Sequence, residues 1–220
     1  MKTKTLAALA LLAFTGIGYS ASYTLTNVGA SLADSNGFGN SAGIAFQNSA
    51  SPTFAGPGVV AFGTFSISDA QISGALAGET LVSAFSGFGS SSTGAFVAPG
   101  LTGARGTFSR NSTGTVGTEL NGDFIYLFVG NGTTFANSTE FAVLKTSLTF
   151  NSADDETPTP VSLVVSAANS TVLVGGTTSD IRVTNADGTA TLGFTTVAVP
   201  EPSAALLGLL GAVGLIRRRR

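Results

Sequence analysis

An all-β fold, read as an antiparallel β-sandwich with at most one short helix, is what this 220-residue chain predicts. Three observations lead there. Short apolar runs recur at intervals of roughly 8 to 15 residues, each closed by Gly, Asn or Asp, which is the spacing of sandwiches and barrels. The 29 glycines, 16 phenylalanines and abundant Ser and Thr leave no long amphipathic helix. Asp123–Val129 is apolar on both faces, with Phe124, Tyr126 and Phe128 one way and Ile125, Leu127 and Val129 the other, as in a central strand buried on two sides.

In chain order, strands are expected at Ser22–Val28, Ile44–Asn48, Val59–Ser66 and Gly103–Arg110, each a short stretch closed by turn residues. Between the last two, Leu76, Leu81, Val82, Phe85 and Phe88 recur at helix-like spacing, and Glu79 falls where a first helical turn would be. Ala77–Ser86 therefore reads as one short helix over an open end of the sheets, with a strand over Thr80–Ser86 as the competing reading. After the central strand, Asn131 and Gly132 form a turn, and Glu140–Thr146 returns as an antiparallel neighbour. Further strands are expected at Val161–Ser166, Thr171–Val174, Ile181–Asn185 and Ala190–Val197, the last two joined by a turn over Asn185, Ala186, Asp187 and Gly188. Asp154–Pro160 reads as an exposed connection.

Both termini read as export signals. Lys2 and Lys4 precede a compact apolar stretch, Leu6–Phe14, and small residues around Gly18–Ala21 suit signal peptidase, with cleavage after Ser20 or after Ser22. Residues 1–21 are thus expected to be a signal peptide and 22–198 the exported body. At the other end, Val199, Pro200, Glu201, Pro202 and Ser203 precede an apolar run. Ala204, Leu206, Leu207, Leu209, Leu210, Val213, Leu215 and Ile216 make it a membrane anchor, and Arg217, Arg218, Arg219 and Arg220 follow as a stop-transfer cluster. As a helix the run is about 21 Å long, short of the roughly 30 Å of bilayer hydrocarbon, so it tethers weakly. The arginines mark the cytoplasmic side and put the body outside. The two prolines keep Glu201 in an extended, protease-readable segment.

The order Pro-Glu-Pro, short apolar helix and arginine cluster over residues 199–220 closely resembles the PEP-CTERM sorting signal of bacteria. The resemblance implies handling by an exosortase, a membrane cysteine protease or transpeptidase, in Gram-negative bacteria that make exopolysaccharide or biofilm. The body also resembles a group of PEP-CTERM proteins of unassigned function. It shares their Phe-Gly-rich first half and a segment like Phe124–Lys145, running through Leu127, Gly130, Asn131, Gly132, Ser138 and Thr139.

Without its termini the chain keeps 11 acidic residues and four basic ones, Arg105, Arg110, Lys145 and Arg182, for a net charge near −7 against −2 overall. So acidic a body lacks the basic face that nucleic acid requires. With no Cys, no disulfide braces it, and stability rests on burial and backbone pairing. With no His, Cys or Trp, the chain cannot build Ser-His-Asp or Cys-His catalysis, His-ligated zinc or a tryptophan sugar platform. Paired carboxylates remain, with Asp123, Glu140 and the trio Asp154, Asp155 and Glu156 as candidates; solvated turn and strand-edge charges are the plainer reading of all five. No cofactor is expected. Calcium is the one inorganic partner the sequence accommodates, at Asp154, Asp155 and Glu156 or at Asp34, Asn36 and Asn40, although neither spacing is that of an EF-hand. Two functions follow. One is a non-catalytic cell-surface or extracellular-matrix protein, inner-membrane anchored before sorting, with signal peptidase and exosortase as partners during export. The other is a carbohydrate-binding module or weak glycoside hydrolase acting on exopolysaccharide.

Overall fold

The computed structural model describes residues 19–28, 37–46, 56–74, 78–89, 93–96, 106–116, 120–151, 159–181 and 191–199. The strands are β1 (Tyr19–Thr26), β2 (Gly37–Gly39), β3 (Val59–Phe65), β4 (Phe85–Gly87), β5 (Gly94–Ala95), β6 (Ser109–Val116), β7 (Phe124–Gly130), β8 (Glu140–Thr149), β9 (Val161–Val164), β10 (Ser170–Val174), β11 (Gly176–Ile181), β12 (Thr191–Thr195) and β13 (Val197–Ala198). Two short helices, α1 (Asp69–Ser73) and α2 (Gly78–Ala84), lie between β3 and β4. The fold is all-β.

A seven-stranded sheet runs β10-β8-β7-β3-β4, with β13 added on β8 and β5 on β3. Two three-stranded sheets, β6-β1-β9 and β11-β12-β2, complete the described residues. The β7–β8 pair is antiparallel, Leu127 opposite Leu144 and Val129 opposite Ala142, and the hairpin turns through Asn131 as its sequence dictates. Both faces of β7 are covered. Ile125, Leu127 and Val129 enter one core with Tyr23 and Leu25 of β1, Phe38 of β2 and Phe194 of β12. Phe128 enters a second core with Ile72 of α1, Leu81 of α2, and Phe141 and Val143 of β8. Burying one such side chain stabilises by about 1.5–3 kcal/mol, so a strand that does it on both faces dominates the fold.

Four expectations are corrected. The pairing is mixed rather than wholly antiparallel: β1 runs parallel to β9 and β2 parallel to β12. Parallel partners need a long crossover, and the intervening chain supplies it in both cases. The strand expected at Gly103–Arg110 instead spans Ser109–Val116, opposite β1. Gly106 has φ +70°, its carbonyl accepts from Phe38 N–H and its N–H donates to Phe46, so this stretch is a turn that clasps β2. Within Ile44–Asn48 only Ala45 forms a bridge, to Gly39 across the turn at Asn40–Gly43; residues 47 and 48 lie outside the described residues. The strand expected at Ile181–Asn185 starts earlier, at Gly176, because Thr177 and Thr178 pair with Phe194 and Gly193; residues 182–190, with the expected turn, lie outside the described residues. The helical reading of Ala77–Ser86 holds for Gly78–Ala84 before the chain turns into β4, and α1 is an additional helical turn.

Buried polar residues fix the joints. Asn27 donates from its amide to Gly106 carbonyl (2.8 Å) and accepts from Phe108 N–H (2.7 Å), tying the end of β1 to the start of β6. The Glu140 carboxylate accepts from Ser41 N–H (2.9 Å), Ser41 hydroxyl (2.7 Å) and Thr196 hydroxyl (2.6 Å). One side chain of the central sheet thereby holds the segments that follow β2 and β12.

Candidate functional site

A four-residue cluster links the first turn of α1 to side chains of β7 and β8. Ser68 caps α1 in a capping box: its hydroxyl accepts from Gln71 N–H and the Gln71 side chain accepts from Ser68 N–H (3.0 Å). The cap fixes Asp69 in the first helical turn, where a negative charge is favoured. Tyr126 and Lys145 are direct cross-strand partners on the face below it. Tyr126 hydroxyl donates to Asp69 Oδ1 (2.6 Å) and Lys145 Nζ to Asp69 Oδ2 (2.7 Å). The same ammonium lies 3.9 Å from the centroid of the Phe124 ring, within cation–π range. The hydrogen bond from Lys145, with a smaller one from Tyr126, holds the Asp69 carboxyl below its ordinary range. Burial, aided by the neighbouring carboxylate, raises the Tyr126 hydroxyl well above its own.

Beside the cluster is a groove of about 550 Å³, lined by Asp69, Phe124, Lys145 and Ser147 and by Ala167–Thr171. Asn169 shapes that last stretch. Its amide donates to Val164 carbonyl (2.7 Å) while its oxygen accepts from Ser166 N–H (2.9 Å) and Ser170 hydroxyl (3.1 Å).

A second concavity, about 340 Å³, lies at the C-terminal edge of the described chain, lined by Gly78, Val82, Phe135, Phe141 and Val199 among others. β13 pairs with Glu140 and Phe141, and Val199 N–H donates to Thr139 carbonyl (3.3 Å). Gly78 is required there, since a Cβ would come within 2.4 Å of the Phe141 ring. Val199, the first residue of the expected sorting segment, is thus packed on the body. Residues 200–220, with Pro200, Glu201, Pro202 and the apolar run, lie outside the described residues, as do residues 1–18.

No family model, curated protein or solved structure matches this chain.

The carboxylate candidates are not brought together. Glu140 is clamped at the first residue of β8. Asp123 sits beyond the other end, its carbonyl accepting from Phe150 N–H (2.9 Å), so the two are about 30 Å apart at roughly 3.3 Å per strand residue. A glycosidase pair needs about 5–9.5 Å. Asp154, Asp155, Glu156, Asp34 and Asn36 lie outside the described residues, and Asn40 is engaged in its own turn, accepting from Ala42 and Ile44 N–H groups. Among the described residues no three His, Cys, Asp or Glu side chains gather as a metal site, and no helix is long and apolar enough to cross a membrane.

The sequence reading missed Asp69, which is separated from its partners by 57 and 76 positions. Two signals point to it: the Ser-x-x-Gln spacing at Ser68 and Gln71, and the shared face of Tyr126 and Lys145.

Proposed function

We propose that this chain is a non-catalytic exported protein of the cell surface or extracellular matrix. In this reading residues 1–21 are a signal peptide, 22–198 a β-sandwich body, and 199–220 a PEP-CTERM sorting signal cut by an exosortase. The larger core, filled from one face of the central sheet and from both small sheets, supports the sandwich. The observation that carries the sorting role is the contiguous order of Pro200, Glu201 and Pro202, the apolar run and the four terminal arginines. Val199, the residue before Pro200, is seated on the body through its N–H to Thr139 carbonyl. The separation of Asp123 from Glu140 supports a non-catalytic body, because the two carboxylates cannot serve one glycosidic bond.

The test is replacement of Pro200, Glu201 and Pro202 by alanine in the native cell, followed by fractionation and intact mass. The wild type is expected to lose Arg217, Arg218, Arg219 and Arg220 with most of the apolar run, and the variant to stay full-length and membrane-bound. Equal release of both would overturn the sorting role.

A further inference from the structure

Phe124 is 41% exposed although it belongs to the most deeply buried strand of the fold. The other side chains on its face, Tyr126 and Phe128, are covered. Leaving a phenyl ring in water forgoes much of the roughly 1.5–3 kcal/mol its burial would yield. Next to it stand a carboxylate, which only accepts hydrogen bonds, and an ammonium, which only donates them. The Asp69 and Lys145 side chains are 39% and 23% exposed, so both reach the groove. Ser147 and Thr171, also in the groove wall, add exposed hydroxyls. The groove is therefore an open apolar surface ringed by separate donors and acceptors.

We propose that this groove binds a neutral saccharide, with Phe124 as the stacking surface and Asp69, Lys145, Ser147 and Thr171 as the hydrogen-bonding rim. A pyranose has a CH face that covers an aromatic ring, and hydroxyls at its edge that each donate and accept. An adjacent carboxylate and ammonium serve neighbouring hydroxyls in opposite senses. Charge selects against an anionic polymer. Lys145 is already paired with Asp69, and Arg110, the other cation among the described side chains, points its guanidinium to the backbone carbonyls of Ala95 and Ser109. A uronate would meet a neutral ion pair on an acidic body. The assignment concerns binding alone: among the described residues Asp69 is the sole carboxylate in the groove wall, and hydrolysis requires two.

The experiment is affinity electrophoresis of the full chain, in a detergent without sugar headgroups, through gels containing dextran, a soluble β-1,3-glucan or a galactan, with alginate as the anionic probe. Retardation by at least one neutral polymer is expected, unchanged by added salt. Phe124→Ala should weaken it at least tenfold and Ser147→Ala severalfold, with far-UV circular dichroism showing both variants folded. No retardation by any neutral polymer, retention on alginate alone, or full retention by Phe124→Ala overturns the assignment. Because binding is read on the purified chain, its failure leaves the sorting role untouched, and a failure of sorting leaves binding readable.

Discussion

Glu140 and Asp69 are each favoured as anions by the donors around them. At Glu140 burial pushes the carboxyl up, but the hydrogen bonds from Thr196 and Ser41 outweigh it and the group sits below its ordinary range; Asp69 is lowered chiefly by Lys145. A lowered folded pKa means stabilisation that is present above the unfolded value, about 3.9–4.3, and lost as pH falls through the folded one. The melting temperature should hold from neutral pH to about pH 5 and drop below about pH 4. Glu140→Gln should lower it at neutral pH, by about 2 kcal/mol of stability, and flatten the acid limb. At the alkaline end the sign reverses: Tyr23 and Tyr126 are raised, mainly by burial, so their neutral forms favour the fold and stability falls as pH climbs past about 10. Absorbance of tyrosinate should rise together with unfolding. Asn27→Ala removes two buried hydrogen bonds and leaves Phe108 N–H without its acceptor, while Gly106 carbonyl keeps the bond from Phe38 N–H, an expected loss of about 1–3 kcal/mol in chemical denaturation.

The elements legible in the sequence were those whose side chains alone decide their burial. β7 and β8 are apolar on both faces, and no other placement of Ile125–Val129 covers both rows. β6 was misplaced because it is Ser-Arg-Asn-Ser-Thr-Gly-Thr-Val, with only Ser112 and Val116 buried, and it is a strand only because β1 lies beside it. Its one deep polar side chain, Ser112, donates to Phe88 carbonyl (2.6 Å), a contact that exists only after folding. β11 is similar, a polar strand aligned by β12. α1 is too short for a periodicity and shows only through its cap. The Asp69 cluster was illegible for the same reason: it joins three remote segments through the fold, whereas Pro200–Pro202 is contiguous and needs no fold to be read. β3 offers a test at this scale. A Cβ at Gly63 would fall 2.0 Å from Ser86 carbonyl oxygen, so Gly63→Ala must push β4 off the sheet edge. It should cost about 3 kcal/mol or more, measured by denaturant midpoint.

For the whole molecule the central sheet, covered on both faces, predicts similar sensitivity on its two sides. Leu127→Ala and Phe128→Ala should each destabilise by about 3–5 kcal/mol, and far-UV circular dichroism should show a β-dominated spectrum. The N-terminal edge carries a further consequence. β1 opens at Tyr19, opposite Val116, and Ala21 is buried in the larger core. The proposed signal-peptidase bonds, after Ser20 or Ser22, lie within that same strand. A bond held in a β-ladder cannot also lie extended in a protease cleft, so maturation and closure of the β1–β6 ladder compete for one stretch of backbone. On the proposed export route the order is then translocation, scission, and only afterwards completion of the ladder by a freshly made terminus. A cut after Ser20 would keep Ala21 in the larger core and a cut after Ser22 would discard it, and the mass of the mature protein reads the difference directly.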